Sequence, residues 1–198
     1  MDQLPNRILV FAGSARSGSF NKRLARLAAG RVEAAGGQAT FIDLRDYPIP
    51  LYDGDLEREQ GIPAPARHLK DVLAEHSGLI VVSPEYNGFI TPLLKNTLDW
   101  LSRPDGDQDG LALFRNRVGC VLSASPGGLG GMRSLALARQ LLTNLGVTVL
   151  PDQLAVPGAA KAFTDDGELA DSGARERLDQ ICHRLVETLD RLNPPAGR

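Results

Sequence analysis

Short apolar runs without polar interruption recur along this chain, and a segment of helical spacing follows most of them. Ile8-Leu9-Val10-Phe11-Ala12 is the clearest, ending at Gly13. A run that does not alternate suits a strand covered on both faces, as strands in a parallel sheet are. Thr40-Phe41-Ile42, Leu79-Ile80-Val81-Val82, residues 118–122 and residues 147–150 read the same way. One helical pattern starts at about Ser19, with Leu24, Leu27, Ala28, Val32 and Ala35 inward and Gly36-Gly37 closing it. A second is opened by Pro63 or Pro65 and turns Leu69, Val72 and Leu73 inward. A third spans about Pro92 to Leu101, and a fourth about Gly131 to Leu145, closed by Gly146. The last starts at about Ser172 and carries Leu178, Ile181, Cys182, Leu185, Val186 and Leu189 on one stripe.

Five strands alternating with five helices imply an α/β fold, because right-handed crossovers place helices on both faces of a parallel sheet. The spacing predicts a flavodoxin-like three-layer sandwich with strand order 2-1-3-4-5, forming a single domain over residues 1–198. Residues 44–62 and 102–116 show no clear period and are predicted to be long loops.

A composition of 42% apolar residues supplies a core, and a formal charge of -2 without any basic run argues against nucleic-acid or membrane-surface partners. Partners are expected to be small molecules or further copies of the chain. Cys120 and Cys182 sit in apolar patterns and resemble neither a disulfide framework nor metal ligands. The N-terminus, Met1-Asp2-Gln3-Leu4-Pro5-Asn6, lacks a basic segment followed by an apolar signal stretch, so a cytoplasmic location is expected.

Three loops follow the first, third and fourth predicted strands, which are neighbours in that strand order, and ligands bind at the carboxyl ends of such strands. The first is Gly13-Ser14-Ala15-Arg16-Ser17-Gly18-Ser19-Phe20-Asn21. Free N–H groups and the positive dipole end of the next helix suit a phosphate there, aided by the hydroxyls of Ser14, Ser17 and Ser19 and the Arg16 guanidinium. A plainer role for Ser19 is to cap the helix. Gly13 and Gly18 have P-loop spacing, yet Ser19-Phe20 replaces the Lys and Ser/Thr of a nucleotide triphosphatase. Ala15 stands where a dinucleotide fingerprint needs glycine, so a monophosphate fits better than a pyrophosphate. The second loop, Ser83-Pro84-Glu85-Tyr86-Asn87-Gly88, could edge a flat heterocycle, or be an ordinary turn with an exposed tyrosine. The third, residues 123–131, holds four glycines in its last five positions, a composition suited to close approach of backbone to a ligand or to a flexible loop.

These segments resemble the NAD(P)H-dependent FMN reductases, whose members include quinone, azo-dye and chromate reductases. The resemblance rests on Gly13, Ser14, Arg16, Ser19, Phe20 and Asn21; on Pro84, Glu85, Tyr86 and Asn87; on Leu94, Lys95, Asn96, Asp99 and Trp100; and on Ser123, Ser125, Gly127, Gly130 and Gly131. Each pattern alone is common, whereas four in order at predicted element boundaries are specific. The resemblance implies that Ser14, Arg16, Ser19, Phe20 and Asn21 hold the FMN phosphate. It also implies that Pro84, Glu85, Tyr86, Asn87 and Gly88, with Ser123, Ser125, Gly127 and Gly128, line the isoalloxazine ring. It implies a ping-pong reaction in which NAD(P)H reduces bound FMN and a quinone, azo compound, free flavin or metal oxyanion takes the electrons. No catalytic side chain and no metal ligand is named, since hydride transfer requires no acid or base. Homodimers or homotetramers are implied, with the helix around Lys95 to Trp100 and residues 102–116 as candidate interfaces.

Two departures from the family pattern stand out. Phe89-Ile90-Thr91-Pro92 replaces a frequent Ser-x-Pro-Gly and makes the pocket more apolar, and Asn116-Arg117 replaces Lys-Pro without expected functional effect. Two rival readings are a flavodoxin-type electron carrier, disfavoured by the near-neutral charge and by Arg16 in the loop, and a non-catalytic sensor that kept the fold.

Overall fold

The computed structural model describes residues 6–194. Apart from Asn6, the N-terminal stretch discussed above lies outside the described residues, as do the last four residues of the expected domain. In chain order the elements are β1 (Arg7–Ala12), α1 (Phe20–Ala34), β2 (Gln38–Ile42), a 3-10 turn (Leu44–Asp46), α2 (Gly54–Gln60), α3 (Ala64–Ala74), β3 (Gly78–Val82), α4 (Pro92–Leu101), β4 (Val118–Ala124), α5 (Met132–Leu145), β5 (Thr148–Val156) and α6 (Ser172–Leu192). The strands form one sheet in the order β2-β1-β3-β4-β5, every pair parallel, which is the expected flavodoxin-like arrangement.

Alternate residues of each central strand feed different cores. Ile8, Val10, Ile80, Val82, Cys120 and Leu122 point to the face covered by α1 and α6, where Leu24, Ala28, Val32, Leu178, Ile181, Cys182 and Leu185 meet them. Leu9, Phe11, Leu79, Val81 and Val121 point to the opposite face, covered by Leu69 and Leu73 of α3, Leu94 and Leu98 of α4, and Leu135 and Leu142 of α5. Both cysteines are buried as small apolar groups, and burial pushes both thiols up, that of Cys182 to about 12.

Two expectations need correction. The described residues hold six α-helices rather than five, because residues 44–62 contain α2 as well as the 3-10 turn. No residue of α2 is buried, so it has no apolar stripe to announce it; Asp53 caps it by accepting from the Asp55 N–H at 2.8 Å. The last strand is also longer than residues 147–150. Its pairing with β4 jumps from Gly119 opposite Val149 to Val121 opposite Gln153, an irregularity that carries Pro151 past the ladder on an exposed edge where proline is tolerated.

At the amino edge of the sheet, the Asn116-Arg117 departure has a structural explanation. Asn116 adopts a positive φ of 64°, and the buried Arg117 guanidinium donates to the Leu73 carbonyl at 3.1 Å, closing α3. Burial without a carboxylate lowers the Arg117 pKa to about 10.

Ile80, fully buried in the central strand, reports on this packing. Ile80→Ala is expected to destabilise the fold by about 3–4 kcal/mol through lost transfer energy and a residual cavity. Urea denaturation should show a lower midpoint with an unchanged slope.

Candidate functional site

The β1–α1 loop leaves the carboxyl edge of the sheet between β2 and β3. Ser14 and Ser19 are buried, whereas Ala15, Arg16, Ser17 and Gly18 are exposed. Ser19 does cap α1, accepting from the Lys22 N–H at 3.4 Å. Among the described residues, the N–H groups of Ala15, Ser17, Gly18, Ser19, Phe20 and Asn21 have no protein acceptor. These donors, the positive end of α1, the Arg16 guanidinium and the absence of any carboxylate from residues 13–21 make a donor set suited to a phosphate monoester. Arg16 lies over the Phe20 ring at 5.8 Å and donates to the Gly18 carbonyl at 3.3 Å, so it is held at the rim of the loop.

Two glycines here are not demanded by the protein itself. A Cβ on Gly18 or Gly128 would meet nothing within 4 Å, and neither residue has a positive φ. Glycine in such open positions leaves room for a group outside the chain to approach the backbone.

The sheet ladder ends at the Gly13 and Ser83 N–H groups, which bond the Val82 and Leu122 carbonyls, and beyond them side chains join the three loops. Asn21 spends its whole amide on Ala124 at the end of β4, donating to its carbonyl at 2.7 Å and accepting from its N–H at 2.9 Å, both buried. Thr91, the N-cap of α4, donates to the Gly13 carbonyl at 2.7 Å and accepts from the Leu94 N–H. Ser134 Oγ lies 2.8 Å from the Gly131 carbonyl and 3.2 Å from the Ser83 carbonyl, so its one proton is shared between the third loop and the end of β3. Lys22, buried in the first turn of α1, pairs with Asp43 at 2.6 Å, and Arg45 donates to the Ala15 carbonyl at 2.9 Å, bracing the first loop from the β2 side.

The second loop ends in a two-residue hairpin. Tyr86 and Phe89 exchange backbone hydrogen bonds at 2.9 Å, with Asn87 and Gly88 between them at φ 53° and 82°. Positive φ at both central positions is the type I′ geometry that Asn-Gly favours, and it sets the exposed Tyr86 and Phe89 side chains on one face of the hairpin. Pro84 is buried beneath it. Glu85 does not point outward: its carboxylate accepts from the backbone N–H groups of Arg133 and Ser134 at 3.1 and 3.3 Å and is ion-paired with the Arg133 guanidinium. Burial opposes ionisation, but the bonds from Arg133 and Ser134 outweigh it and hold the carboxyl below its ordinary range.

In the third loop, Ser125 is fixed by backbone bonds to Val156 and Ala159, and Pro126, Gly127 and Gly128 lie exposed. Ser123 is fully buried, and its Oγ has no hydrogen-bond partner among the described residues. It lies beneath Gly131, where a Cβ would stand 1.9 Å from that oxygen and φ is 89°, so only glycine serves. Sequence reading noted Thr91 only as part of a departure from the family pattern and did not single out Lys22, Asp43, Arg45, Arg133 or Ser134. Each acts across a long separation and belongs to no local pattern. The Asn96 and Trp100 motif residues hold the preceding loop instead of facing outward: both donate to the Pro50 carbonyl, at 2.8 and 2.9 Å, and Trp100 is fully buried.

Comparison with known proteins shows the family. Residues 6–161 match the family described as NADPH-dependent FMN reductase. A quinone reductase of Escherichia coli K12 is 32% identical over 175 residues, covering 87% of this chain and 89% of that protein. An NAD(P)H-dependent FMN reductase of Pseudomonas aeruginosa is 32% identical over 188 residues, covering 94% and 96%. The flavoenzyme NAD(P)H:(acceptor) oxidoreductase FerB of Paracoccus denitrificans shares the fold with a TM-score of 0.79 at 24% identity, over 94% of this chain and 98% of that one.

The buried Lys22–Asp43 pair lends itself to a pH test. Burial opposes ionisation of Asp43, while hydrogen bonds from Lys22 and the Arg45 N–H prevail and lower its pKa. Asp43→Asn leaves the Lys22 ammonium buried without a counter-charge and is expected to cost about 3 kcal/mol at neutral pH. A depressed carboxyl pKa contributes stability above its unfolded value of about 3.9 and loses it as pH falls through the folded value. The gap between wild type and variant in denaturant titrations should therefore be full above about pH 5, begin to narrow near about pH 4, and close only once the pH is below the lowered folded value.

Proposed function

The chain belongs to the NADPH-dependent FMN reductase family, and from that membership we propose an FMN-dependent NAD(P)H oxidoreductase, built as a single domain, whose preferred acceptor is a quinone or a similarly flat, apolar molecule. The observation that carries this reading is the set of N–H donors of Ala15 and of residues 17–21 that have no acceptor among the described residues, on the loop that leaves the same sheet edge as the Tyr86–Phe89 hairpin and the Gly-rich third loop. Bound FMN supplies the hydride chemistry, accepting from NAD(P)H and passing reducing equivalents to the acceptor. The chain's own residues bind and orient. Ser14, Arg16, Ser19, Phe20 and Asn21 serve the phosphate, Arg16 by charge and Asn21 by holding the first turn of α1 in place. Pro84, Tyr86, Asn87 and Gly88, with Glu85 through its backbone, edge one side of the ring, while Ser123, Ser125, Gly127 and Gly128 form the other. No side chain is assigned as acid or base. Phe89 and Tyr86 favour an apolar acceptor over a metal oxyanion, because their exposed faces offer area and no positive charge.

Purified protein should take up FMN and turn yellow, oxidise NAD(P)H with a quinone, and give parallel lines in double-reciprocal plots. Arg16→Ala should weaken FMN binding by about ten-fold or more, the value of one hydrogen bond to a charged group, and leave riboflavin binding unchanged. Failure to take up flavin, or turnover only with a protein partner, would overturn the reading.

Self-association as a homodimer or homotetramer, in the cytoplasm, completes the proposal. Leu51, Phe89, Leu129 and Met132 are more than half exposed, and a groove of about 390 Å³ between α4 and α5 is lined by Phe89, Ile90, Pro92, Lys95, Leu137 and Leu141. Lys95 thus lies on the face offered to a partner, whereas Trp100 does not. Two unpaired buried cysteines suit a reducing compartment, and no helix among the described residues is long and apolar enough to cross a membrane. Sedimentation should report a dimer or larger, and Leu137→Asp in the groove should shift it to monomer; a monomeric wild type at micromolar concentration would refute this part.

A further inference from the structure

Helix α5 has no side-chain cap of its own, since its N-cap is Gly131 in the left-handed conformation. The cap comes from 48 residues upstream: Glu85 bonds the Arg133 and Ser134 N–H groups and, through Oε1, the Arg133 Nε at 2.8 Å. Its side chain is only 7% exposed, against 62% for Arg133. The guanidinium also lies 3.8 Å from where a Cβ on Gly88 would stand, so the arginine packs beneath the hairpin turn. One carboxylate thus ties the hairpin, the Gly-rich loop and the start of α5 into a single unit.

We propose that Glu85 is a positioning residue: its clasp on the N-terminus of α5 fixes the Tyr86–Phe89 hairpin relative to the third loop and so sets the width of the slot that takes the flavin ring and the acceptor. This rests on the FMN reading above. In that reading the ring lies between two loops whose ladder ends at the Ser83 N–H to Leu122 carbonyl bond, so beyond that point the spacing of hairpin and third loop depends on side-chain ties such as this one. The phosphate loop is attached elsewhere, through Asn21, Thr91 and Arg45, and does not use the clasp.

That separation supplies the test. In Glu85→Ala, FMN and riboflavin should both bind about ten-fold more weakly, the scale of a misplaced binding wall, with their affinity ratio unchanged because phosphate recognition is intact. The visible circular dichroism of bound FMN should change, and the quinone KM should rise more than kcat falls. Glu85→Gln, which keeps an oxygen for the backbone cap but loses the ion pair, should recover part of the loss. Arg133→Ala, which keeps the cap and loses the guanidinium, should fall between wild type and Glu85→Ala, and it decides the matter if Glu85→Ala does not fold. A folded Glu85→Ala with wild-type flavin affinity, dichroism and quinone KM would overturn the inference while leaving the FMN reading intact. So would a collapse of the FMN-to-riboflavin ratio, which would mark general disruption. A wild-type chain that binds neither flavin would defeat the underlying reading, and this inference with it.

Discussion

Where a parallel sheet ends, its last backbone N–H and C=O groups have no further strand to pair with, and in this fold those ends are buried under loops. Each such group must find a partner or carry a desolvation cost. Asn21 answers for both groups of Ala124, Thr91 for the carbonyl of Gly13 and Ser134 for that of Ser83. The arrangement of the candidate site follows from these pairings. Every loop that leaves the edge is fixed by a side chain from another loop or from the helix another loop introduces, and the exposed tips are left free to meet a ligand.

The electrostatics follow the same division. Two acidic side chains beside the loops are engaged, Asp43 by Lys22 and Glu85 by Arg133. At residues 14–21 the loop contributes N–H dipoles, the positive end of α1 and the Arg16 guanidinium, while the hairpin presents the apolar Tyr86 and Phe89 side chains. A molecule with a charged tail and a flat, mostly uncharged ring matches that gradient without any ion being brought in.

Much of this was legible in the residues. Apolar runs at residues 8–12, 79–82 and 118–122 announced strands buried on two faces, and loops placed at predicted strand ends met at one edge because the strand order brings them there. What stayed hidden had physical causes. Helix α2 buries nothing and so carries no stripe, and the pairing irregularity opposite Gly119 and Val121 lengthened β5 beyond its apolar run. Glu85 sits inside a motif that suggests ring contact, but its acceptors' partners lie 48 residues away, and local spacing contains no record of such distances. The helix around Lys95 to Trp100 was a candidate interface, yet the Pro50 carbonyl draws Trp100 inward.

The Asn21–Ala124 pair spans 103 residues, and that span has a consequence in time. During synthesis the β1–α1 loop leaves the ribosome well before the strand end that anchors its helix, which follows it by about a hundred residues. An early intermediate has the right amides in the right order with nothing to hold them in a cradle, and contacts of such separation form late because loop closure must precede them. The cradle at the carboxyl edge thus takes shape only in the closing stage of folding, and a chain stalled before Ala124 lacks the anchor that holds its first helix in place.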